Sequence, residues 1–482
     1  MNYSVVIYIL GWIMEIEAAF LALPGIVSAI YGESGGFAFL WVALGSAVAG
    51  SMIILHKPKN MRFYLREGFV TVALSWILMS VIGCLPFVIN GDIPHFADAL
   101  FEMISGFTTT GATVVSDVEG LTKGSLFWRS FSHWIGGMGV LVFLLAIVPM
   151  AGGSHMNLMK AESPGPSVGK LVPKVRQTAK YLYIIYFTLT MIEVIFLLFG
   201  GMNLFEALTT SFGTAGTGGF AIWNDGFVSV SPYNQWVVTI FMLLFGVNFG
   251  FYFLILTGKL RDALKFEEVR IYFIIVIASA VFIFINLRHF ALYAPAEGIR
   301  QAFFQVASII TTTGFASADF NLWPETSRTI LVLLMFIGAC AGSTGGGIKV
   351  SRFIIACKSF IKEIISYLHP RSVKKIKLEG KPLEHETLRA TNVYFMTYMV
   401  IFAVSVLLVS IENKDLVTNF AAVAATFNNI GPGLSLVGPM ANFGHFTDFT
   451  KYVLMFDMLA GRLEIFPMML LFCPAVWKRR RA

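Results

Sequence analysis

Two stretches decide the fold: TTTGATVV, from Thr108 to Val115, and its near copy TTTGFASA, from Thr311 to Ala318. Each follows a semi-apolar run of about a dozen residues, which is too short to cross a bilayer because a spanning helix needs roughly 20. A short apolar helix followed by a polar, Gly-containing loop is typical of a re-entrant segment. The duplication therefore indicates an internal repeat within a membrane protein.

The composition supports a membrane location. Of the 482 residues, 56% are hydrophobic and only 13% are charged, and the mean hydropathy is +0.74. Globular chains average about 25% charged residues. Long uncharged runs without alternation predict membrane-spanning helices and not a β-barrel. We therefore predict an all-α polytopic membrane protein.

Other classes of protein find little support in the sequence. The first apolar segment has no basic n-region and no cleavage pattern, so we expect a retained helix. The net charge of +7 comes from short loops between spans, so no nucleic-acid partner is predicted. No nucleophile and base, paired carboxylates or His/Cys cluster converge at one depth, so no enzyme is predicted. An intramembrane enzyme is kept only as a remote alternative.

The four cysteines have neither CxxC spacing nor neighbouring histidines, which argues against a disulfide framework and a metal site. They are Cys84, Cys340, Cys357 and Cys473.

Charge in the loops predicts the topology. Lys and Arg are grouped near residues 57–66, 160–180, 259–270, 371–381 and 478–481, whereas the intervening loops are acidic. Because basic loops stay on the cytoplasmic side, both termini are expected there. We predict ten transmembrane helices: two N-terminal helices, then four pseudo-fourfold repeats of helix, pore loop and helix around a central pore. The boundaries are 1–56 for the N-terminal pair and 57–175, 176–262, 263–385 and 386–482 for the four repeats. The second helices of repeats 2, 3 and 4 are expected at 232–257, 327–362 and 450–476.

The four pore-loop segments align on one glycine each. They read ADALFEMISGFTTTGAT, MNLFEALTTSFGTAGTGGFA, IRQAFFQVASIITTTGFA and VTNFAAVAATFNNIGPG, which aligns Gly111, Gly219, Gly314 and Gly431. In repeat 2, Gly216 is a competing register. Four such loops around an axis present backbone carbonyls that replace the water shell of a cation. The alternative is that these small residues only allow close helix packing.

Several segments resemble those of one transporter family. TTTGAT, TTTGFA, NNIGPG, HWIGGMGV (133–140), GACAGSTGGGIKV (338–350) and GRLEIF (461–466) are similar to segments of the membrane subunits of Trk potassium-uptake systems, in the Trk/Ktr/HKT superfamily. The resemblance implies K⁺ uptake, and Gly in the first filter position implies K⁺ over Na⁺. The implied K⁺ ligands are Thr109, Thr110, Gly111, Thr217, Gly218, Gly219, Thr312, Thr313, Gly314, Asn429, Ile430 and Gly431.

A glycine-rich break is predicted in repeat 3. The run GACAGSTGGGIK at 338–349, the gate loop, lies near the middle of the membrane, where clustered glycines unwind a helix. It resembles a phosphate-binding loop, but Ile348 precedes Lys349 and no strand leads into it. We interpret it as an intramembrane gate, with a glycine-rich packing surface as the alternative. The gate residues are Gly342, Ser343, Thr344, Gly345, Gly346 and Gly347.

Arg462 is expected at a similar depth, where a charge is costly and usually faces water or a partner. It is predicted to form an electrostatic barrier and to hold the gate loop. The alternative is an ion pair with Asp457 or Glu464. No role is assigned to three further acidic residues within the spans, Glu15, Glu17 and Glu193.

The resemblance also implies partners and a location. K⁺ is the transported ion, and no prosthetic group is expected in the chain. A separate cytosolic ring-forming subunit that binds NAD and ATP would dock on the basic loops. Binding of these loops to anionic lipid is the alternative. The membrane subunit would be a homodimer in the inner membrane. A Na⁺-permeable or ion-coupled cation symporter of the same fold is the alternative function.

Overall fold

The computed structural model describes residues 1–61, 64–147, 175–370 and 375–477. Parts of the predicted basic clusters lie outside these residues, namely 62–63 of 57–66, 160–174 of 160–180, 371–374 of 371–381, and all of 478–481. The N-terminal half of the chain forms α1 (Tyr3–Ile30), α2 (Gly36–Leu55), α3 (Leu65–Asn90), α4 (Phe96–Phe107), α5 (Lys123–Ile147), α6 (Val175–Phe199), α7 (Leu204–Gly216), α8 (Pro232–Phe245), α9 (Phe249–Leu256) and α10 (Leu260–Leu264).

The C-terminal half continues with α11 (Glu267–His289), α12 (Pro295–Ile310), α13 (Glu325–Ile337), α14 (Val350–Leu368), β1 (Lys377–Leu378), β2 (Lys381–Pro382), α15 (His385–Val409), α16 (Leu416–Phe427), α17 (Asp448–Arg462), α18 (Phe466–Leu471) and α19 (Pro474–Trp477). The two strands form an antiparallel hairpin. The described chain is mostly helical, as the composition predicts.

Six described helices are long and apolar enough to cross a membrane: α1, α2, α3, α6, α11 and α15. The pair α8 and α9 is a seventh if it forms one span, and it is bent by 88°. Helices α13 and α14, and likewise α17 and α18, are separated by breaks. The count of ten spans therefore stays a prediction.

The second helices of three repeats are interrupted, and only one interruption is predicted. The gate loop separates α13 from α14, as its glycines indicate. The helix expected at 232–257 ends at Phe245, and Asn248 caps the next helix by accepting a hydrogen bond from the Gly250 N–H at 2.8 Å. The helix expected at 450–476 ends at Arg462. Pro467 lies in the first turn of α18, where proline is tolerated because the N–H groups of that turn have no acceptor within the helix.

The short helices α4, α7, α12 and α16 are arranged in a closed circle. Each contacts the two longer helices that flank it in the chain. Each also contacts the second helix of the preceding repeat: α7 contacts α5, α12 contacts α8, and α16 contacts α13. Helix α4 contacts α17, which joins the last repeat to the first. Helices α1 and α2 pack together outside this circle, against α3.

Local sequence defines where the short helices begin. In α7, Asn203 and Glu206 form a reciprocal capping box. In α16, the Asp415 side chain accepts hydrogen bonds from the Thr418 N–H at 2.9 Å and from its hydroxyl at 2.6 Å. These bonds hold the pKa of Asp415 below its usual value. Helices α7 and α16 therefore start at polar caps.

Candidate functional site

All four short helices end with the same backbone geometry. A residue other than glycine adopts the left-handed conformation two positions before each aligned glycine, with φ of 54°, 54°, 60° and 55° at Thr109, Thr217, Thr312 and Asn429. The N–H of the next residue donates to the carbonyl five residues earlier, at 2.8 to 2.9 Å in every copy. This is a Schellman ending without the usual glycine, and each such residue costs about 1–2 kcal/mol. Strain repeated four times is typical of a functional site.

The aligned glycines form a ring. At each glycine, a backbone carbonyl of the next loop lies in or near the space that a side chain would occupy. All four have positive φ, from 76° at Gly111 to 96° at Gly431. A Cβ on Gly431 would lie 2.7 Å from the carbonyl oxygen of Thr110, and a Cβ on each of the other three would collide with a carbonyl of the next loop. The facing pairs are Gly111 with Gly218, Gly219 with Thr313, Gly314 with Ile430, and Gly431 with Thr110.

The contacts of this glycine ring run through the repeats in chain order and close on themselves. Gly219, and not Gly216, occupies the ring position in repeat 2, since a Cβ on Gly216 would meet the carbonyl of His133 instead. The structure therefore brings together loops that are far apart in the sequence, and the residue before each glycine contributes the carbonyl that faces its neighbour.

The two faces of the glycine ring differ. A cavity of about 130 Å³ is lined by the four ring glycines and by residues that follow them, including Ala112 and Phe315. On the other face, residues that precede the glycines contact the gate loop. The glycine ring thus has a cavity on one face and the gate loop on the other.

Threonine pairs stiffen the loops of repeats 1 and 3, the two strict copies that share the tetrad TTTG. The Thr108 and Thr110 hydroxyls lie 2.8 Å apart, and those of Thr311 and Thr313 lie 2.7 Å apart. These hydroxyls are fully buried. The loops of repeats 1 and 3 therefore carry their own internal brace, which the GTGG and NNIG copies lack.

A buried ion pair supports the loop of repeat 1, and the sequence reasoning missed it. Glu102 of α4 and Arg129 of α5 are almost fully buried and lie 2.7 Å apart. Glu102 also accepts from the Val114 N–H at 3.0 Å and from the Thr113 hydroxyl at 2.9 Å. Charged residues inside apolar segments were a visible signal, but their partnership was not.

The gate loop is pressed against the glycine ring. The Gly346 N–H donates to the Thr312 hydroxyl at 2.6 Å. A Cβ on Gly345 would lie 2.9 Å from the Thr311 carbonyl oxygen, and one on Gly346 would lie 2.8 Å from that of Asn428. Two successive glycines therefore allow the gate loop to lie close to the residues that precede the ring glycines of repeats 3 and 4.

Arg462 connects the gate loop to repeat 1. Its guanidinium donates to the Thr344 carbonyl at 2.8 Å and to the Gly136 carbonyl at 2.7 Å. The alternative ion pair does not form, because Asp457 accepts from Ser405 and Glu464 pairs with Arg352. Within the described residues, Arg462 has no carboxylate partner.

Glu268 binds both the first part of the gate loop and the start of α14, which follows the loop. The sequence did not reveal this role. One carboxylate oxygen accepts from the Ala341 N–H at 2.7 Å and from the Ser351 N–H at 3.0 Å. The break between α8 and α9 adds a reciprocal pair: the Phe249 N–H donates to Gly342, and the Cys340 N–H donates to Gly246, both at 3.0 Å. The interrupted helices of repeats 2 and 3 thus satisfy each other's backbone groups.

The remaining candidates lie elsewhere. The Lys349 ammonium donates to the Gly345 carbonyl within its own loop. Glu17 and Glu193 are fully buried. All four cysteines are free, and the described residues contain no group of His, Cys, Asp and Glu that could hold a metal.

Comparisons with known proteins agree with this architecture. The TrkH family model, described as "Cation transport protein", matches residues 37–479. The chain is 36% identical over 490 residues to the Trk system potassium uptake protein TrkH of Escherichia coli K12, covering 99% of this chain and 100% of the relative. It is 31% identical to TrkG of the same strain, covering 99% of this chain and 99% of the relative.

A solved structure is similar over the same extent. The crystal structure of the potassium transporter TrkH from Vibrio parahaemolyticus matches with a TM-score of 0.89 at 33% identity. The match covers 99% of this chain and 100% of that one. The similarity thus includes both the glycine ring and the gate loop.

Proposed function

This chain belongs to the TrkH family of cation transport proteins, and from that premise we propose that it takes up K⁺ through the glycine ring. Members of this family are transporters and not enzymes, so the intramembrane enzyme is no longer an alternative. The relatives named above are potassium uptake proteins, and K⁺ is accordingly the ion proposed for this chain.

The observation that carries the proposal is the fourfold backbone geometry at the ring. Carbonyl oxygens arranged around an axis replace the hydration shell of a cation. Four short helices end at this ring, and the partial negative charge at helix C-termini favours cations there. The proposed ligands are the three residues of each loop ending at the ring glycine, as the resemblance implies.

The gate loop and Arg462 are proposed to close this path. The gate loop lies against the ring, and the Arg462 guanidinium is hydrogen-bonded to neutral carbonyls instead of to a carboxylate. An uncompensated positive charge beside the path raises an electrostatic barrier to cations. Opening then requires the gate loop to withdraw from Thr312 and from Arg462.

The wider assembly completes the proposal. We infer ten spans around one pore, both termini in the cytoplasm, an inner-membrane location and a homodimer. A cytosolic nucleotide-binding ring subunit would control the gate. A Na⁺-permeable or ion-coupled symporter remains the competing function, because the ring geometry alone specifies a cation path and not its coupling.

Flux through the purified protein in liposomes tests the proposal. Wild type and Arg462→Ala are assayed with K⁺, Rb⁺, Na⁺ and Li⁺, at matched gradients and with the membrane potential clamped. We expect K⁺ and Rb⁺ to permeate in preference to Na⁺ and Li⁺, and uptake to follow the K⁺ gradient alone. Uptake that needs a H⁺ or Na⁺ gradient favours the symporter. If neither protein conducts any of these cations, the proposal is wrong.

A further inference from the structure

The loop of repeat 2 contributes a carbonyl to the glycine ring but lacks the side chains that brace the strict copies. The residue before the ring glycine is Thr110 in repeat 1 and Thr313 in repeat 3, and each hydroxyl is paired with a neighbouring threonine. In repeat 2 this residue is Gly218, within the run GTGG. Glycine has the greatest backbone freedom of any residue, so this loop needs support from outside itself.

The imidazole of His133 occupies the space that a side chain at position 218 would fill. A Cβ on Gly218 would lie 2.6 Å from Cδ2 of His133 and closer still to Cγ and Nδ1. The collision is with the base of the ring system and not with the tip of a flexible chain. The φ of Gly218 lies outside the left-handed region, so its backbone conformation is open to other residues, and the three atoms nearest to an added Cβ all belong to His133.

Two hydrogen bonds fix the imidazole between repeats 1 and 2. Nδ1 lies 2.7 Å from the Gly106 carbonyl, to which it donates, and Nε2 accepts from the Phe220 N–H at 3.1 Å. Gly106 is in α4, and Phe220 directly follows the ring glycine Gly219. This pattern of one donor and one acceptor fits the neutral imidazole. The side chain is fully buried.

Arg129 reinforces the same contact from one helical turn away. It and His133 lie four residues apart on α5 and therefore share a face. The Arg129 guanidinium lies 4.2 Å from the centre of the Phe220 ring, and the imidazole centre lies 4.3 Å from it. Phe220, the residue after the ring glycine of repeat 2, is thus contacted by two side chains of α5, the second helix of repeat 1.

We propose that His133 is a positioning residue for ion selection, which acts by holding the Gly218 carbonyl at its place in the glycine ring. The inference rests on the proposed K⁺ pore. The imidazole replaces, from another repeat, the brace that Thr110 and Thr313 provide in their own loops. Loosening it lets the carbonyl of Gly218 move, and a filter with one mobile carbonyl discriminates less well between cations of different size.

A double-mutant cycle tests the proposal, with the K⁺ to Na⁺ permeability ratio in liposomes as the readout. His133→Ala removes the brace, and Gly218→Ala forces a methyl group against it. We expect each single variant to lower the ratio by about tenfold, the effect of one or two lost buried hydrogen bonds. In the combined variant the methyl group enters the vacated space, and the ratio should recover at least about threefold over the worse single variant.

Trp134→Ala is the matched control for loss of a large side chain from α5. Trp134 packs against Tyr186 and Phe212, whereas the atoms nearest to an added Cβ on Gly218 belong to His133. Its replacement should lower the unfolding temperature of the purified protein without changing the permeability ratio. The same ratio loss in Trp134→Ala would reduce His133 to a general packing role.

The outcomes separate this inference from the proposed pore. A wild-type protein without selective K⁺ flux contradicts the pore itself. If the wild type conducts K⁺ selectively, two results overturn only the role of His133. One is a K⁺ to Na⁺ permeability ratio in His133→Ala within about twofold of the wild-type ratio. The other is a combined variant whose loss of ratio is simply the product of the two single losses. If neither single variant folds, recovery of folded protein in the combined variant supports the proposal, and failure to recover contradicts it.

Discussion

The glycine ring and the gate loop lie against each other but are held in different ways. The ring has four copies of one backbone geometry, and each copy touches the next through main-chain atoms. The gate loop exists once. Side chains from other repeats hold it: the Arg462 guanidinium at Thr344, the Glu268 carboxylate at both ends, and the Thr312 hydroxyl at Gly346.

This difference suggests a division of labour. In the ring, an added side chain in one loop meets the carbonyl of the next loop, so a substitution would alter the shape of the proposed filter. In the gate loop, each side-chain hydrogen bond can be removed singly, so a substitution would change how often the proposed gate opens. We therefore expect ring variants to change selectivity and gate variants to change basal flux at constant selectivity.

The largest effect is expected from Gly111→Ser. Its Cβ would collide with the Gly218 carbonyl, and its φ of 76° is unfavourable for any residue other than glycine. The collision must displace the Gly218 carbonyl within the ring, and a change of about 1.4 kcal/mol in the preference between two ions corresponds to tenfold. The K⁺ to Na⁺ permeability ratio in liposomes should fall by about tenfold or more.

Gly258→Ser is the control for backbone strain without a collision. Gly258 has a φ of 75°, but nothing lies within 4 Å of the position of a Cβ. This variant should lose some stability and keep its selectivity. If both variants show the same ratio, strain and not ring contact explains the effect, and the ring loses its assignment as the filter.

The next largest effect is expected from Arg462→Ala. Two hydrogen bonds from a charged donor are lost, together with the positive charge beside the proposed path, and a net loss of about 1.4 kcal/mol in the stability of the closed gate loop corresponds to tenfold. Basal K⁺ flux should rise by about tenfold while the K⁺ to Na⁺ ratio stays unchanged. Flux assays without any cytosolic partner measure both quantities.

Arg462→Lys separates the two contributions of this residue. Lysine keeps the charge but cannot reproduce the forked geometry that reaches two carbonyls. Basal flux close to wild type would assign the barrier to charge, and flux close to that of Arg462→Ala would assign it to the hydrogen bonds. A change in selectivity in either variant would contradict the division between ring and gate.

The ring was predictable because its signal is local and repeated. The tetrads TTTG, GTGG, TTTG and NNIG recur after short apolar helices, and the resemblance identified the same glycines. The structure brings together the four predicted triplets and resolves the choice between Gly216 and Gly219. The gate loop was equally visible, since its glycines are consecutive and interrupt an apolar run.

The bonds that hold these loops were not predictable, because their partners are far apart in the sequence. Glu268 binds backbone N–H groups of Ala341 and Ser351, and Arg462 reaches Gly136 across most of the chain. A charged residue in an apolar helix signals an interaction without naming the partner. Backbone acceptors leave no trace in side-chain identity, so the sequence predicts that Arg462 bonds to carbonyls of the gate loop but does not point to the Gly136 carbonyl.

The smallest effect is expected from Thr312→Val, which removes the hydrogen bond that joins the two regions. Valine keeps the β-branched shape at this strained position but leaves the Gly346 N–H without its acceptor at 2.6 Å. One such bond contributes about 1 kcal/mol, so basal flux should rise about threefold to fivefold. Thr329→Val on α13 is the matched control, because that exposed hydroxyl bonds only to the Glu325 carbonyl of its own helix. Because Thr312 is also part of a ring loop, this variant is the sharpest test of the division: a rise in flux without loss of selectivity places its hydroxyl with the gate, whereas a loss of selectivity alone places it with the filter and shows that the two regions are not separable.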